Sequence, residues 1–235
     1  MRKITVANNY LKNQSQKYLS RAILSLLIFS LFFGLTSYHL LFQTQRIGIL
    51  EGIGFVASII MLITFQCYQR KYQIYKSGQQ GEKAVINALT NSLNDDYYLL
   101  NGVYLKDGGG DVDHIVLGPN GVYVLETKNW SGHIICNGDQ WQRPGKKVKS
   151  SPSLQVKRNT QKIRKIITPS LPFQGHRILI EGLLVFTNAH INLNISNPTV
   201  TILKLQQLPK HIKNQENNNL TKEQIQKILK QIQNA

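Results

Sequence analysis

Two long apolar runs near the start of the sequence constrain the fold most strongly. The first covers residues 22–42 and the second covers residues 47–68, and Glu51 is the one acidic residue within them. A helix of about 20 apolar residues is long enough to cross the hydrocarbon core of a bilayer. Neither run has a polar face, which favours lipid over the core of a soluble helical bundle. We therefore predict a transmembrane helical hairpin with a short turn near residues 43–46.

A secretory signal peptide is a poor alternative to the hairpin. The first apolar run is too long for a signal peptide, and no small-residue cleavage site precedes the second run. Glu51 and His39 are the polar ionisable side chains within the runs. We interpret both as lying near the outer interface, and a buried functional carboxylate is the other interpretation of Glu51.

Basic residues flank the two runs unevenly. The arm formed by residues 1–21 and the segment 69–76 contain Lys and Arg but no acid, whereas the turn between the runs has only Arg46. Cytoplasmic segments next to membrane spans are enriched in Lys and Arg. We therefore expect both termini in the cytoplasm, with residues 69–76 as a basic stalk that carries a cytoplasmic domain from residue 77 onward. The flanking residues are Arg2, Lys3, Lys12, Lys17, Arg21, Arg70, Lys71 and Lys76.

The whole chain is strongly basic. It has 28 Lys and Arg residues against 12 Asp and Glu residues, which gives a formal net charge of +16. Such an excess predicts an anionic partner, either nucleic acid or an acidic membrane surface. The two cysteines, Cys67 and Cys136, have no zinc-site spacing and do not indicate a disulfide framework.

Helical and strand patterns alternate after residue 77. The opening helix places Glu82 on the same face as Val85 and Leu89. A later helix begins at Ser151 as N-cap with Pro152 at its first position. The last helix, in the segment 209–235, is amphipathic and faces the core or a partner, with Thr221 and Gln224 as a capping box. Strands are predicted at residues 97–105, 111–118, 121–129, 133–136, 178–186 and 199–205, of which 178–186 is the most apolar.

Acidic and basic side chains meet at one end of a predicted hairpin. Glu126 and Lys128 share one face of their strand, because side chains alternate along a strand. The PNG turn pairs that strand with the preceding one, which carries Asp111 and Asp113. An Asp, a Glu and a Lys therefore converge at one edge of a sheet.

This group of side chains suits metal-assisted hydrolysis. Two carboxylates bind Mg²⁺ or Mn²⁺, which prefer oxygen ligands and retain waters. Lys128 could orient or deprotonate an attacking water, or stabilise developing negative charge. Glu82 could complete the metal shell directly or through water. The alternative is an ordinary hairpin with Glu126 and Lys128 as an exposed ion pair.

Two nearby polar residues have simpler interpretations. Asp107 is interpreted as a turn residue. His114 lies on the opposite strand face from Asp113, so we interpret it as a packed or hydrogen-bonded group rather than a ligand.

Four segments together resemble a known family. They are GEKAVINAL, DVDHIVLGPNGVYVLETKNWSGHI, GDQW and SPSLQ, within residues 78–186. They resemble the nuclease-related domain (NERD) family, which is assigned to the restriction-endonuclease-like PD-(D/E)xK superfamily. On this resemblance we expect the domain to cover residues 77–208, followed by a linker and the final helix in 209–235.

The resemblance implies an α/β fold with a mixed β-sheet flanked by helices, a metal site at the edge of the sheet, and a role in DNA processing. Family members usually begin the helix after the sheet with Asn-Pro, and this chain has Ser151-Pro152. Ser is an equally good N-cap, so the difference does little harm. The residues that match the family's functional positions are Glu82, Asp113, Glu126, Lys128 and Gln155.

A basic segment surrounds the helix that carries Gln155. Lys and Arg contacts to phosphates dominate nucleic-acid affinity, so the segment predicts a nucleic-acid surface. A solvated face, or a face that lies on anionic lipid, is the alternative. The segment contains Arg143, Lys146, Lys147, Lys149, Lys157, Arg158, Lys162, Arg164 and Lys165 and no acid.

These patterns, together with what the family resemblance implies, predict a membrane-anchored, Mg²⁺- or Mn²⁺-dependent nuclease that hydrolyses DNA at the cytoplasmic face. A homodimer would suit cleavage of both strands of a duplex. The first alternative is a catalytically silent module, tethered to the membrane, that binds nucleic acid or a protein. The second is a structural protein whose basic face meets lipid.

Overall fold

The computed structural model describes residues 1–5, 10–42, 48–105, 111–170, 178–215 and 220–234. The chain divides into two compact units, which we name the helical unit, Asn9–Gln79, and the sheet unit, Met1–Asn8 with Gln80–Ala235. The predicted turn at residues 43–46 and the predicted turn residue Asp107 lie outside the described residues.

The secondary structure follows the predicted alternation after residue 77. The helices are α1 (Tyr10–Phe42), α2 (Ile49–Ser92), α3 (Pro152–Ile167), α4 (Leu208–Lys213) and α5 (Lys222–Asn234). The strands are β1 (Arg2–Thr5), β2 (Tyr98–Tyr104), β3 (Asp111–Gly118), β4 (Gly121–Lys128), β5 (Gly132–Asn137), β6 (Gln140–Gln142), β7 (Ile180–Phe186), β8 (Ile191–Ser196) and β9 (Thr201–Lys204).

The helical unit consists of α1 and the first part of α2. Both helices are long and apolar enough to cross a membrane, by length and composition. Only 17% and 11% of their most apolar windows are buried, unlike the core helix of a soluble protein. The predicted long apolar helices are therefore confirmed, and their insertion into a membrane stays a prediction. Helix α2 continues without a break through the predicted stalk at 69–76.

Small polar side chains line the contact between the two apolar helices. Ser25 and Thr36 of α1 and Ser58 of α2 are buried, and the Thr36 side chain lies against Gly54. Small residues let helices approach closely, and van der Waals packing then stabilises the pair. At the basic end of the unit, Tyr18 stacks on Tyr75 with 5.4 Å between the ring centroids.

The main sheet of the sheet unit has the order β1-β2-β3-β4-β7-β9 and is mixed. Strands β2, β3 and β4 are antiparallel, and the other neighbouring strands are parallel. The predicted hairpin is confirmed, since Gly118 pairs with Gly121 and leaves Pro119 and Asn120 as the turn. Helices cover both faces, so the mixed α/β fold that the family resemblance implied is confirmed at this level.

The two faces of β4 supply different parts of the core. Val122 and Val124 pack with Ile163 of α3 and with α5, whereas Tyr123 and Leu125 pack with Val85 of α2 and with α4. Helix α5 contributes to the core rather than to an exposed partner surface. Its predicted capping box is confirmed, because the Thr221 backbone N–H donates to Gln224 Oε1 at 2.8 Å and the Gln224 N–H to Thr221 Oγ1 at 3.2 Å. The α5 residues in the core are Ile225, Ile228, Leu229 and Ile232.

A second sheet has the order β6-β5-β8, and its hydrophobic residues pack with Leu184 and Phe186 of β7. The predicted strand at 133–136 belongs to this sheet as β5, and β8 was not predicted from the sequence. Trp141 of β6 packs against Phe186 of β7, with 5.8 Å between the ring centroids. The second sheet therefore shares a hydrophobic cluster with the main one.

Gly182 sets the distance between α3 and the main sheet. A Cβ atom at this position would lie 2.5 Å from Val156 Cγ1 and would also clash with Thr160 Oγ1. Glycine at the centre of β7 therefore lets α3 pack directly on the strand backbone. This close packing brings the start of α3 next to the carboxyl end of β4.

The N-terminal strand β1 is the main departure from expectation, because residues 1–21 were predicted to be a basic arm and no strand was predicted there. Helix α1 also begins within this arm, at Tyr10. The Arg2 backbone N–H donates to the Tyr97 carbonyl oxygen at 2.9 Å. The Arg2 guanidinium donates to the Tyr98 hydroxyl at 3.0 Å. Strand β1 thus covers the edge of β2, which would otherwise present unpaired backbone groups.

We predict that Arg2→Pro destabilises the sheet unit more than Arg2→Ala. Both changes remove the guanidinium contact, but only proline removes the backbone N–H that bonds to Tyr97. The difference in unfolding free energy should be about 1 kcal/mol, the net value of one backbone hydrogen bond. Urea unfolding of the full-length chain in detergent, followed by tryptophan fluorescence, measures it. Equal stability of the two variants would show that the hydrogen bond from the Arg2 backbone N–H to Tyr97 does not stabilise the sheet unit.

Candidate active site

Lys128 lies at the centre of a buried polar group at the carboxyl end of β4. Its ammonium nitrogen is 2.6 Å from Glu126 Oε1 and donates to Gln155 Oε1 at 3.1 Å. The side chains of Lys128 and Glu126 are only 18% and 5% exposed. The alternation along β4 therefore turns both side chains toward α3. The alternative interpretation, an exposed ion pair, is wrong.

Asp113 lies beside Glu126 on the neighbouring strand. Strands β3 and β4 are antiparallel, so the pairing of His114 with Leu125 places Asp113 next to Glu126. Asp113 Oδ2 accepts a hydrogen bond from the Thr127 backbone N–H at 2.7 Å. The pKa of Asp113 is raised well above its ordinary value, mainly by burial and secondly by repulsion from Glu126 and Glu82. The hydrogen bond from the Thr127 N–H and the charge of Lys128 lower this pKa, but by less.

Glu82 reaches this group from α2. A Cβ atom at the preceding Gly81 would lie 2.9 Å from the Asn129 side chain and 3.0 Å from Thr187 Oγ1. The segment of α2 around Gly81 therefore lies against the residues that follow the carboxyl ends of β4 and β7. Burial first, and then repulsion from Glu126 and Asp111, raises the pKa of Glu82 to about 7.

The donor chemistry of the group fits a hard divalent cation. Asp113, Glu126 and Glu82 offer carboxylate oxygens, which Mg²⁺ and Mn²⁺ prefer. Mg²⁺ is commonly held by only one or two carboxylates together with waters. Within the described part of the chain, no set of three or more His, Cys, Asp or Glu side chains is arranged to hold a metal ion. The pair formed by Asp113 and Glu126 is therefore the part of the group that fits best.

Gln155 owes its position to the start of α3. Ser151 is the N-cap, and its hydroxyl accepts a hydrogen bond from the Leu154 backbone N–H at 3.4 Å, with Pro152 following at the first position. The predicted cap is confirmed. One turn further, the Gln155 amide oxygen meets the Lys128 ammonium, so α3 and β4 together form the site.

The predicted basic surface has two kinds of residue. Lys146, Lys147, Lys149, Arg158, Arg164 and Lys165 are exposed. Others have structural contacts: Lys157 pairs with Asp139 at 2.7 Å, and the Arg143 guanidinium lies 4.4 Å from the centre of the Trp130 ring. Arg164, although exposed, donates to the Ile180 carbonyl at 3.1 Å, and Lys162 is half-buried. The exposed basic surface therefore contains fewer residues than the nine predicted from the sequence.

His114 does not belong to the site. It is buried, and its Nδ1 lies 2.8 Å from Asn101 Oδ1. An amide oxygen only accepts hydrogen bonds, so Nδ1 carries the proton. Burial lowers the pKa of His114 to about 3, which keeps the ring neutral. The interpretation of His114 as a packed, hydrogen-bonded group is confirmed.

Asp139 was missed by the sequence reasoning. It lies in the turn between β5 and β6 and accepts hydrogen bonds from Ser153 Oγ at 2.7 Å and from Lys157 Nζ at 2.7 Å. Both donors are on α3, on either side of Gln155 in the sequence. Asp139 belongs to the GDQW segment, which was noted in the sequence. An Asp beside a Gly is common in tight turns, so the sequence alone gave no reason to separate Asp139 from an ordinary turn residue.

We predict that Gln155→Ala exposes Lys128 to amine-reactive reagents. The change removes the 3.1 Å contact that restrains the ammonium group. The rate of Lys128 acylation in the full-length chain, measured by peptide mass spectrometry, should therefore increase. Gln161→Ala, at an exposed position on the same helix, is the matched control and should leave the rate unchanged. An unchanged rate in Gln155→Ala would mean that the contact does not restrain Lys128.

Known protein sequences are similar to the part of the chain that contains the candidate site. Residues 77–187 match the nuclease-related domain family. An uncharacterized protein of Bacillus anthracis is 32% identical over 122 residues, which is 48% of this chain and 58% of that relative. No solved structure matches the chain significantly. The chain thus carries, at residues 77–187, a region with the sequence of a nuclease-related domain, and this region contains all five residues of the candidate site.

Proposed function

We propose that the protein is a membrane-anchored, metal-dependent nuclease that hydrolyses DNA phosphodiester bonds at the cytoplasmic face. The observation that carries the proposal is the contact of the Lys128 ammonium with Glu126 and Gln155, next to Asp113. A lysine and carboxylates at the end of a sheet supply the groups that phosphodiester hydrolysis requires. The match of residues 77–187 to the nuclease-related domain family supports the same reaction class.

Asp113 and Glu126 would hold Mg²⁺ or Mn²⁺, with Glu82 as a ligand directly or through water. Their carboxylates repel one another, and a divalent cation would offset that repulsion. When bound, the cation would polarise the phosphodiester and make a coordinated water more acidic. Lys128 offsets one negative charge of this cluster of three carboxylates, and burial of the uncompensated charge is costly, which supports the assignment.

Lys128 would orient the attacking water, accept its proton, or donate to the phosphate oxygens as negative charge develops. Removal of one such donor from an active site typically reduces kcat by about 10²–10³-fold. The Gln155 amide oxygen accepts from Lys128 and so fixes the direction of the ammonium group. The Gln155 amide nitrogen could donate a hydrogen bond to water or phosphate.

The exposed basic residues beside the site would hold the nucleic-acid backbone. Lys146, Lys147 and Lys149 follow β6, and Arg158 and Lys165 lie on α3, the helix that carries Gln155. Contacts from Lys and Arg to phosphates place a strand without reading its sequence. A homodimer would present two such sites to the two strands of a duplex.

Two features support anchoring as a hairpin with both ends on one side of the membrane. Strand β1 precedes α1, yet it pairs with β2, which follows α2. The segments before and after the apolar helices therefore join one sheet. Lys and Arg lie in the segments before the first apolar run and after the second, and basic flanks favour the cytoplasm.

A catalytically silent nucleic-acid- or protein-binding module is the second candidate function. The Lys128 ammonium lies against Glu126 Oε1, and the Thr127 N–H donates to Asp113 Oδ2. Each of the two best metal ligands thus already has a hydrogen-bond donor. A site that keeps these contacts would bind nucleic acid through its basic surface without hydrolysing it.

We predict metal-dependent nicking of supercoiled plasmid by the full-length chain in detergent. Glu126→Gln and Lys128→Met should each reduce the rate about 100-fold or more. The first removes a proposed metal ligand, and the second removes a proposed donor to the reacting phosphate. Lys83→Met, at an exposed position of α2, is the matched control and should cleave at the wild-type rate.

Chelator should abolish the nicking, and Mg²⁺ or Mn²⁺ should restore it. Wild-type protein that binds DNA but cleaves neither plasmid nor single-stranded DNA with either metal would favour the silent module. Cleavage that survives Lys128→Met would contradict the role of this lysine. The full-length chain is used because residues 2–5 form a strand of the sheet.

We predict that a triple variant has a lower affinity for DNA and that its affinity depends less on salt. The variant replaces Lys146, Lys147 and Lys149 with Ala. Each lost phosphate contact should reduce the slope of log K against log salt by about 0.9 on duplex DNA. Ala at Lys222, Lys227 and Lys230 of α5 removes the same charge from exposed positions elsewhere and is the control. Fluorescence anisotropy at several salt concentrations measures the slopes. Equal slopes in the two triple variants would place the interface elsewhere.

A further inference from the structure

Asp139 joins three segments of the sheet unit through one carboxylate. Its Oδ1 accepts hydrogen bonds from Ser153 Oγ at 2.7 Å and from Thr199 Oγ1 at 2.5 Å. Its Oδ2 accepts from Lys157 Nζ at 2.7 Å. The three donors lie in the first turn of α3, in the loop before β9, and in the second turn of α3. A single side chain therefore fixes α3 to the second sheet.

Neighbouring polar groups complete this network. Trp141 Nε1 donates to Ser153 Oγ at 3.0 Å, and Ser153 Oγ lies 2.9 Å from the hydroxyl of the N-cap Ser151. Ser153 is fully buried and Trp141 nearly so. Such networks hold one geometry when every member has a partner. The amino end of α3 therefore has little freedom to shift or rotate.

The negative charge of Asp139 is itself part of the network. Hydrogen bonds from Lys157, Thr199 and Ser153 lower the pKa of Asp139 to about 2, so the group is ionised at neutral pH. A carboxylate near the amino end of a helix also interacts favourably with the helix dipole. Asparagine would keep one acceptor but would turn an N–H₂ group toward the Lys157 ammonium, which only donates.

Gln155 lies between Ser153 and Lys157, the two α3 residues that Asp139 holds. We propose that Asp139 is a positioning residue that sets the Gln155 amide against the Lys128 ammonium. The inference rests on the proposed function, because Lys128 and Gln155 are its working residues. Asp139 touches neither of them in the contacts described above, so it acts through the backbone of α3.

A purely stabilising contact would give a different result from a positioning one. Loss of stability alone would raise the reactivity of Lys128 only as far as it raises the population of the unfolded state, whichever contact is removed. Loss of positioning would raise the reactivity of Lys128 when a contact between Asp139 and α3 is removed, and would not raise it when another contact of Asp139 is removed. Thr199→Val provides this comparison, because it removes one hydrogen bond from Asp139 Oδ1 without changing a residue of α3.

The experiment compares Asp139→Asn, Thr199→Val and Gln155→Ala in the full-length chain. The acylation rate of Lys128 is measured by peptide mass spectrometry, and urea unfolding of each variant measures its stability. We expect Asp139→Asn to raise the acylation rate to that of Gln155→Ala, and Thr199→Val to stay near the wild type. If the wild type cleaves DNA, Asp139→Asn should reduce kcat about 100-fold with KM unchanged, as expected for a displacement of about 1 Å.

Wild-type acylation of Lys128 in Asp139→Asn would overturn the inference, whether or not the protein cleaves DNA. Equal increases in Asp139→Asn and Thr199→Val, in line with their stabilities, would overturn it as well. A selective increase in Asp139→Asn, together with an inactive wild type, would support the positioning role and would contradict the nuclease proposal. The two proposals therefore fail on different readouts.

Discussion

The buried contact between Glu126 and Lys128 is the interaction on which the rest of the site depends. A carboxylate that is 5% exposed is costly unless a cation and hydrogen bonds compensate for lost water. Lys128, two residues further along the same strand, supplies the charge, and Gln155 holds the lysine from α3. The contact from Gln155 to the lysine depends on α3 beginning at this end of the sheet.

Three features fix α3 in this position. Gly182 lets the helix pack on the backbone of β7, and Ser151 caps its first turn. Asp139 then ties the first two turns to the second sheet. None of the three is one of the five candidate site residues. The precision of the polar group thus comes from packing and hydrogen bonds around it, as active sites generally require.

The sequence predicted the parts of the fold that follow from local pattern. The alternation along residues 121–128 correctly separated Val122 and Val124 from Tyr123 and Leu125, and the PNG turn correctly paired β3 with β4. It did not predict β1, because four residues before a long helix give no periodicity. It also could not assign β5 to a second sheet, since strand pairing between distant segments depends on the whole topology.

The sequence by itself placed Asp113, Glu126 and Lys128 together at one end of a hairpin, because alternation and turn chemistry act over a few residues. Gln155 was predicted from the family resemblance and not from a local pattern. It also determined two long apolar helices and the basic character of the chain. Only the tertiary structure decided that Glu126 is buried, that Lys157 pairs with Asp139 instead of facing solvent, and that the N-terminal strand completes the sheet. Burial and long-range pairing arise from contacts between segments far apart in the chain, and no local pattern specifies them.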